Sequence, residues 1–146
     1  MPERKIQYEP LSPQKDVGFL LSAPSYERLF IDAALALTDF RFRLELIETS
    51  ERMQIEVKGK NLTELMAEWL NAVFHLSKEN RFIPRRIVFE KFDGTSLKAS
   101  LHGEKHSALK HGGNDSVVEL IKEKIVLGEA NYPEPGFTVQ VRMKSV

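Results

Sequence analysis

Three histidines, His102, His106 and His111, lie close together in a chain that has four in all. Imidazole is the commonest protein ligand for zinc, so this cluster is the first candidate for chemistry. Spacings of four and five residues place histidines on one face only if the segment is helical. Here His102-Gly103-Glu104 leaves an expected strand for a glycine-containing loop, so solvated loop histidines are the simpler reading. A small hydrolase built on that loop would need all three imidazoles to converge, and it ranks last among the functional readings. His75 falls near the end of an expected helix, where an imidazolium favours the helix dipole.

Paired carboxylates are the next possibility, because acid–base catalysis needs two acids in different environments and an oxygen-only cation site needs several converging. The aspartates are Asp16, Asp32, Asp39, Asp93 and Asp115. Asp93 is accounted for by a turn and Asp115 by a polar loop. Asp16 opens a strand after a proline-containing turn, where a loop can hold a carboxylate at a sheet edge. No serine stands in a nucleophile-elbow context, no P-loop or GxGxxG occurs, and Gly112-Gly113 is too short to cradle a phosphate. The absence of cysteine removes thiolate zinc sites and a thiol nucleophile together. No catalytic residue is assigned. Arg81, Arg85 and Arg86 around Phe82-Ile83-Pro84 form a basic patch beside an aromatic ring, suited to a phosphate or an acidic protein surface, with a solvated helix-to-strand loop as its default.

The elements that must position these residues are legible from periodicity. Lys5 to Glu9 reads as a short strand, and Asp16 to Ala23 as a second after the turn-like Leu11-Ser12-Pro13-Gln14-Lys15. Beyond the cap candidate Ser25, Leu29, Phe30, Ala33, Ala34, Leu37 and Phe40 recur at helical spacing, as in an amphipathic helix with one buried face. Arg52 to Lys58 alternates Met53, Ile55 and Val57 against polar residues, which predicts a strand with one wet face. Asn61 and Glu64 have capping-box spacing, and a second helix follows whose stripe includes Leu65, Met66, Trp69, Val73 and Phe74, ending near Ser77. Asp93-Gly94 predicts a hairpin joining Ile87–Phe92 to Ser96–His102. Val117–Leu127 and Phe137–Met143 read as two further strands around Asn131-Tyr132-Pro133-Glu134-Pro135-Gly136. This order predicts an α+β fold, two helices packed on one face of a mostly antiparallel or mixed sheet.

Bulk composition narrows the function. With 146 residues the chain is the size of one domain, 1–146, and its 42% hydrophobic content supplies one core. Lysine plus arginine equals aspartate plus glutamate at 21 each, so no overall field draws the chain to nucleic acid, and direct binding to it is not expected. The start MPERKIQYEP is charged, and no run approaches the roughly 18 apolar residues of a membrane span. Together with the lack of cysteine this predicts a cytoplasmic protein that does not enter a membrane.

The segments DVGFLLSAPSYERLFIDAALALTDF, LTELMAEWLNAVFHL and RFIPRRIVFEKFDG, with Gly103-Glu104 followed by SALKH, resemble in order and spacing the archease family. That resemblance covers nearly the whole chain. It implies an α+β fold and a non-enzymatic role as the partner of a tRNA-splicing RNA ligase, assisting its guanylylation and restoring it for repeated turnover. It also implies a divalent cation, Ca2+ or Mg2+, in an acidic site built from an Asp-His-Thr-Ala-Asp motif and a C-terminal aspartate. Here the motif reads Ser12-Pro13-Gln14-Lys15-Asp16 and the C-terminal position is Ser145. Ser12, Pro13 and Ser145 thus replace expected family residues. Asp39 falls on the family's helix-end aspartate, so Asp16 and Asp39 are the expected metal residues. Glu104 matches the loop acid, and Lys122 matches a family lysine when an insertion is admitted around Gly112-Gly113-Asn114. With Arg85 and Arg86 they are the expected partner-binding residues.

Two readings follow. In one, the chain is an accessory factor of the ligase, using Asp16 with Asp39 or Glu104. In the other, it is a divergent binding module or chaperone-like factor that has lost the metal site and meets another protein through the FIPRR segment or a sheet edge.

Overall fold

The computed structural model describes residues 8–11, 16–42, 44–106, 117–130 and 135–145. Eight strands and two helices follow in the order β1 Glu9–Leu11, β2 Asp16–Ala23, α1 Tyr26–Arg41, β3 Glu51–Lys58, α2 Leu62–Glu79, β4 Phe82–Phe92, β5 Ser96–Lys105, β6 Val117–Leu120, β7 Val126–Ala130 and β8 Gly136–Ser145. The α+β architecture and the order of elements agree with the sequence pattern. Every strand pairing is antiparallel. The strands form two sheets where one was expected, β1-β2-β8-β6 with β7 also on β8, and β3-β5-β4.

Both helix starts are set by local chemistry. Ser25 Oγ accepts from the Arg28 amide at 3.1 Å and Asn61 Oδ1 accepts from the Glu64 amide at 2.9 Å, each satisfying an amide that the first turn leaves without a helical partner. Helix α2 has the amphipathic stripe expected of it. Helix α1 departs from expectation, because residues 32–38 are all buried, and no face is left to solvent over those two turns. Its alanines, Ala33, Ala34 and Ala36, let β2 and β8 approach from one side and α2 and β4 from others. Trp69 on α2 is fully buried, its indole Nε1 donating to the Phe30 carbonyl of α1 at 2.8 Å and its ring meeting Phe89 edge-on at 5.4 Å.

The β4–β5 hairpin turns at Asp93-Gly94, in a four-residue loop between the paired Phe92 and Leu97. Gly94 adopts φ +89°, and Asp93 Oδ1 accepts from the Thr95 and Ser96 amides at 3.0 and 2.8 Å. Those backbone bonds hold the Asp93 carboxyl well below the usual carboxylate range.

Several boundaries differ from the sequence pattern. Strand β5 runs to Lys105, so Gly103 and Glu104, expected in a loop, are strand paired with β4. The first strand begins at Glu9, where Glu9 pairs with Leu20, and includes Leu11, which had been read as turn; residues 5–7 lie outside the described residues. The continuous strand expected over Val117–Leu127 is interrupted. Leu120 pairs with Met143 and Val126 with Gln140, so the five residues between them face only two on β8, and the surplus leaves the ladder as a 3-10 turn at Lys122–Lys124. The FIPRR segment is strand and not loop. Phe82, Ile83 and Pro84 are buried in β4, and the register advances from Pro84 against Gly103 to Arg86 against His102, which leaves Arg85 as a bulge.

Glycine at position 103 is required by this bulge, since a Cβ there would lie 1.9 Å from the Ile83 carbonyl oxygen. Gly103→Ala should cost about 2 kcal/mol or more, read as a lowered urea midpoint at unchanged slope. Trp69→Ala should cost about 3 to 5 kcal/mol and lower the melting temperature on the order of 10 °C; a loss under about 1 kcal/mol would contradict the packing described.

Candidate partner-binding site

Helix α1 ends at Arg41, and the chain then crosses toward β3 through a 3-10 turn at Leu44–Leu46. This crossing segment has Leu44 and Ile47 buried beneath it, and three of the expected site residues hold it down. Asp39 Oδ1 accepts from the Leu44 amide at 3.3 Å and Oδ2 from the Tyr8 hydroxyl at 2.9 Å. The Arg85 guanidinium, turned by its bulge, donates to the Leu44 carbonyl. Glu104, a buried carboxylate at the end of β5, accepts from the Glu48 amide at 3.0 Å. Asp39, Arg85 and Glu104 are therefore brought together by one stretch of backbone although they are far apart in sequence. A buried carboxylate costs free energy unless bonded, and a backbone amide is a donor that no substitution except proline removes.

Arg41 anchors the start of the same crossing. Its guanidinium donates to Ser77 Oγ at 2.6 Å and lies over the Phe42 and Phe74 rings at 4.9 and 4.6 Å, fastening the end of α1 to the end of α2. His106 packs its ring on Phe42 at 5.0 Å, and His102 sits within β5. His111 lies outside the described residues. The zinc loop therefore finds His102 on a strand and His106 against an aromatic ring.

The other expected residues stand elsewhere. Arg86 is exposed on β4, opposite His102. Lys122 lies on the 3-10 turn that leaves the ladder and pairs through Nζ with Glu68 of α2 at 2.7 Å, tying that turn to the helix. Asp16 opens β2 opposite Lys144, whose Nζ pairs with Glu119 at 3.5 Å; Ser145 follows on β8 opposite Val117. Ser12 and Pro13 lie outside the described residues.

A cation held only by oxygen needs several carboxylates on one point. Among the described residues no group of three histidine, cysteine, aspartate or glutamate side chains is placed to hold a metal ion. Asp39 has both oxygens engaged, and the register sets a lysine across from Asp16. Among the described residues the acids around Asp39 therefore make no such cage.

Sequence reasoning missed Tyr8 and Arg41. Tyr8 was visible only as an aromatic within the expected strand Lys5 to Glu9, and its link to Asp39 spans 31 positions. Arg41 carried the single cue of a cation in the last helical turn.

The arrangement is that of a small two-sheet α+β domain whose helix ends are fastened by a polar crossing segment. A model of the Archease protein family matches residues 8–122. The chain belongs to the archease family. It is 30% identical over 98 residues to Protein archease of Pyrobaculum neutrophilum, covering 65% of this chain and 67% of that one. It is 28% identical over 120 residues to Protein archease of Methanosarcina mazei, covering 76% and 79%. The solution structure of Methanobacterium thermoautotrophicum protein 1598 shares the fold, with a TM-score of 0.72 over 94% of this chain and 97% of that one at 22% identity.

Burial raises the Tyr8 hydroxyl above its ordinary value, and the bond to Asp39 adds to the effect. A group with a raised folded value supports the fold below its unfolded value, and that support is lost as pH rises. From about pH 10 the unfolded chain releases the Tyr8 proton while the folded chain keeps it bound, and folded stability must fall. Melting curves between about pH 8 and pH 11 should therefore decline more steeply for wild type than for Tyr8→Phe, and parallel curves would contradict the assignment. Asp39→Ala, which strands both donors, should cost about 1 to 3 kcal/mol.

Proposed function

We propose that this protein is an accessory factor of a tRNA-splicing RNA ligase in the cytoplasm, assisting its guanylylation and its return to successive turnovers. The observation that carries the reading is family membership across residues 8–122, a span that contains the crossing segment and the acids fastening it. The equal count of acidic and basic residues supports contact with the ligase protein in place of its RNA. Arg86 is an exposed cation on β4, next in sequence to the Arg85 bulge, and is the first candidate for an acidic patch on the ligase. No helix among the described residues is long and apolar enough to cross a membrane.

A second reading is favoured by one specific observation, the pairing of Asp16 with Lys144 across the β2–β8 ladder. A lysine at that position opposes a divalent cation electrostatically, which supports a factor that acts without one or a scaffold given over to another protein partner.

The discriminating experiment is multiple-turnover RNA ligation by the ligase of the same source organism, with and without this protein. Accessory function predicts stimulation of the turnover rate, and no stimulation by well-folded protein sinks it for that ligase. Asp16→Ala then separates the two readings. Loss of stimulation supports a working acidic site, whereas full stimulation with no heat on titrating Ca2+ or Mg2+ into the protein alone supports cation-independent action.

A further inference from the structure

An unpaired strand edge is a row of backbone donors and acceptors ready to bond another chain, and folded proteins ordinarily blunt such edges. Three of the four outer edges described here are blunted. Strand β1 is three residues long and contains Pro10. The β6–β7 edge is broken by the turn at Lys122–Lys124. Strand β4 carries Pro84 and two bulges, at Arg85 and Glu90. Strand β3 has none of these devices. It runs eight residues in unbroken register with β5, without proline or bulge, and among the described residues no strand pairs with its other side.

We propose that two copies of this chain pair antiparallel through the outer edge of β3, with Gln54 opposite its own counterpart, joining the two three-stranded sheets into one of six. The register follows from the side chains. Even-numbered residues Arg52, Gln54, Glu56 and Lys58 are exposed on the wet face, and Met53, Ile55 and Val57 are half-buried against the core. A slip of one residue would set the wet face of one copy against the apolar face of the other. Centred on Gln54, Arg52 stands opposite the partner's Glu56 and Glu56 opposite the partner's Arg52. On the inner face Met53 meets the partner's Ile55, so the pairing covers apolar surface that one copy leaves half exposed. The outer rows, Glu51 against the partner's Val57 and Ser50 against the partner's Lys58, contain no like-charge pair. A slip of two residues one way sets Arg52 against the partner's Lys58, and the other way it shortens the ladder and loses both opposite-charge pairs. Glu56 has Lys98 as its neighbour on β5, while Arg52 lies 3.5 Å from Glu90, so each retains partners within its own chain.

The test is sedimentation equilibrium of the full chain over a concentration series, with Arg52→Glu, Glu56→Arg and the combined charge swap. Wild type should approach twice the 16.7 kDa of one chain as concentration rises. Each single reversal creates two like-charge pairs at the centre of the ladder and should raise the dissociation constant about tenfold or more, and the swap should restore it. Circular dichroism melts confirm that the variants fold, and hydrogen exchange in wild type should show protection of β3 amides that grows with concentration. A wild type that is monomeric up to about 1 mM overturns the proposal. So does a dimer indifferent to both reversals, or single reversals that the swap fails to rescue.

Discussion

Everything else in this fold depends on α1 being buried from several sides at once. A helix shared between two sheets and a second helix must present a surface that lets all of them close to packing distance. Ala33, Ala34 and Ala36 do this by being small, while Leu29, Phe30 and Leu37 fill the gaps between them. Among the described residues the two sheets do not pair with each other, so their relative position is set through the helices: α1 touches β2 and β8 of one and β4 of the other, and α2 touches β3 and β4 of one and β6 of the other. The Trp69 indole, bonded to the Phe30 carbonyl, fixes α2 against this shared element at its middle. Arg41, on Ser77 and between two phenylalanine rings, does the same at its end.

Burying a helix so completely creates a problem at its C-terminus, where the chain must leave the core and reach β3 on a distant edge. The crossing segment solves it with polar fastenings to backbone, because a short stretch with Phe42, Leu44 and Ile47 as its buried apolar residues among those described has little other grip. Asp39 and Glu104 accept from its amides and Arg85 donates to its carbonyl. Each partner comes from a different element, the end of α1, the end of β5 and the bulge of β4. Gly103 is part of the same construction. Only a residue without a Cβ lets β4 come close enough to place the bulge.

What was legible in the sequence is what local rules decide. The α2 stripe, both caps, the Asp93-Gly94 hairpin and the alternation of β3 each rest on neighbours within a few positions, and each stands in the structure as read. The rest depends on distant partners. Nothing local marks Ala33, Ala34 and Ala36 as lying on a helix buried by several elements instead of one. The stretch Val117–Leu127 reads as one strand although Lys122-Glu123-Lys124 interrupts its apolar pattern, and the matching stretch of β8 is too short to pair with residues 121–125. The bulge that buries Phe82 to Pro84 likewise comes from register against β5. Of the candidate site, Asp39, Glu104 and Arg85 were picked out, but the backbone that unites them was not, because residues 42–50 show neither helical nor strand period.

The way these residues are used changes what their presence implies. Asp39 and Glu104 bond to backbone amides, so the fold asks for acceptors at both positions whether or not the protein meets a cation. Acids at these two positions are therefore accounted for by the scaffold and carry little weight for an activity. The ends of β2 and β8 are different. The pairing of Asp16 with Lys144 and of Val117 with Ser145 is made by backbone, which residues of many kinds supply equally well. Side chains there are released from any duty to the ladder. A change of charge at that end alters what the surface can bind at little cost to the fold.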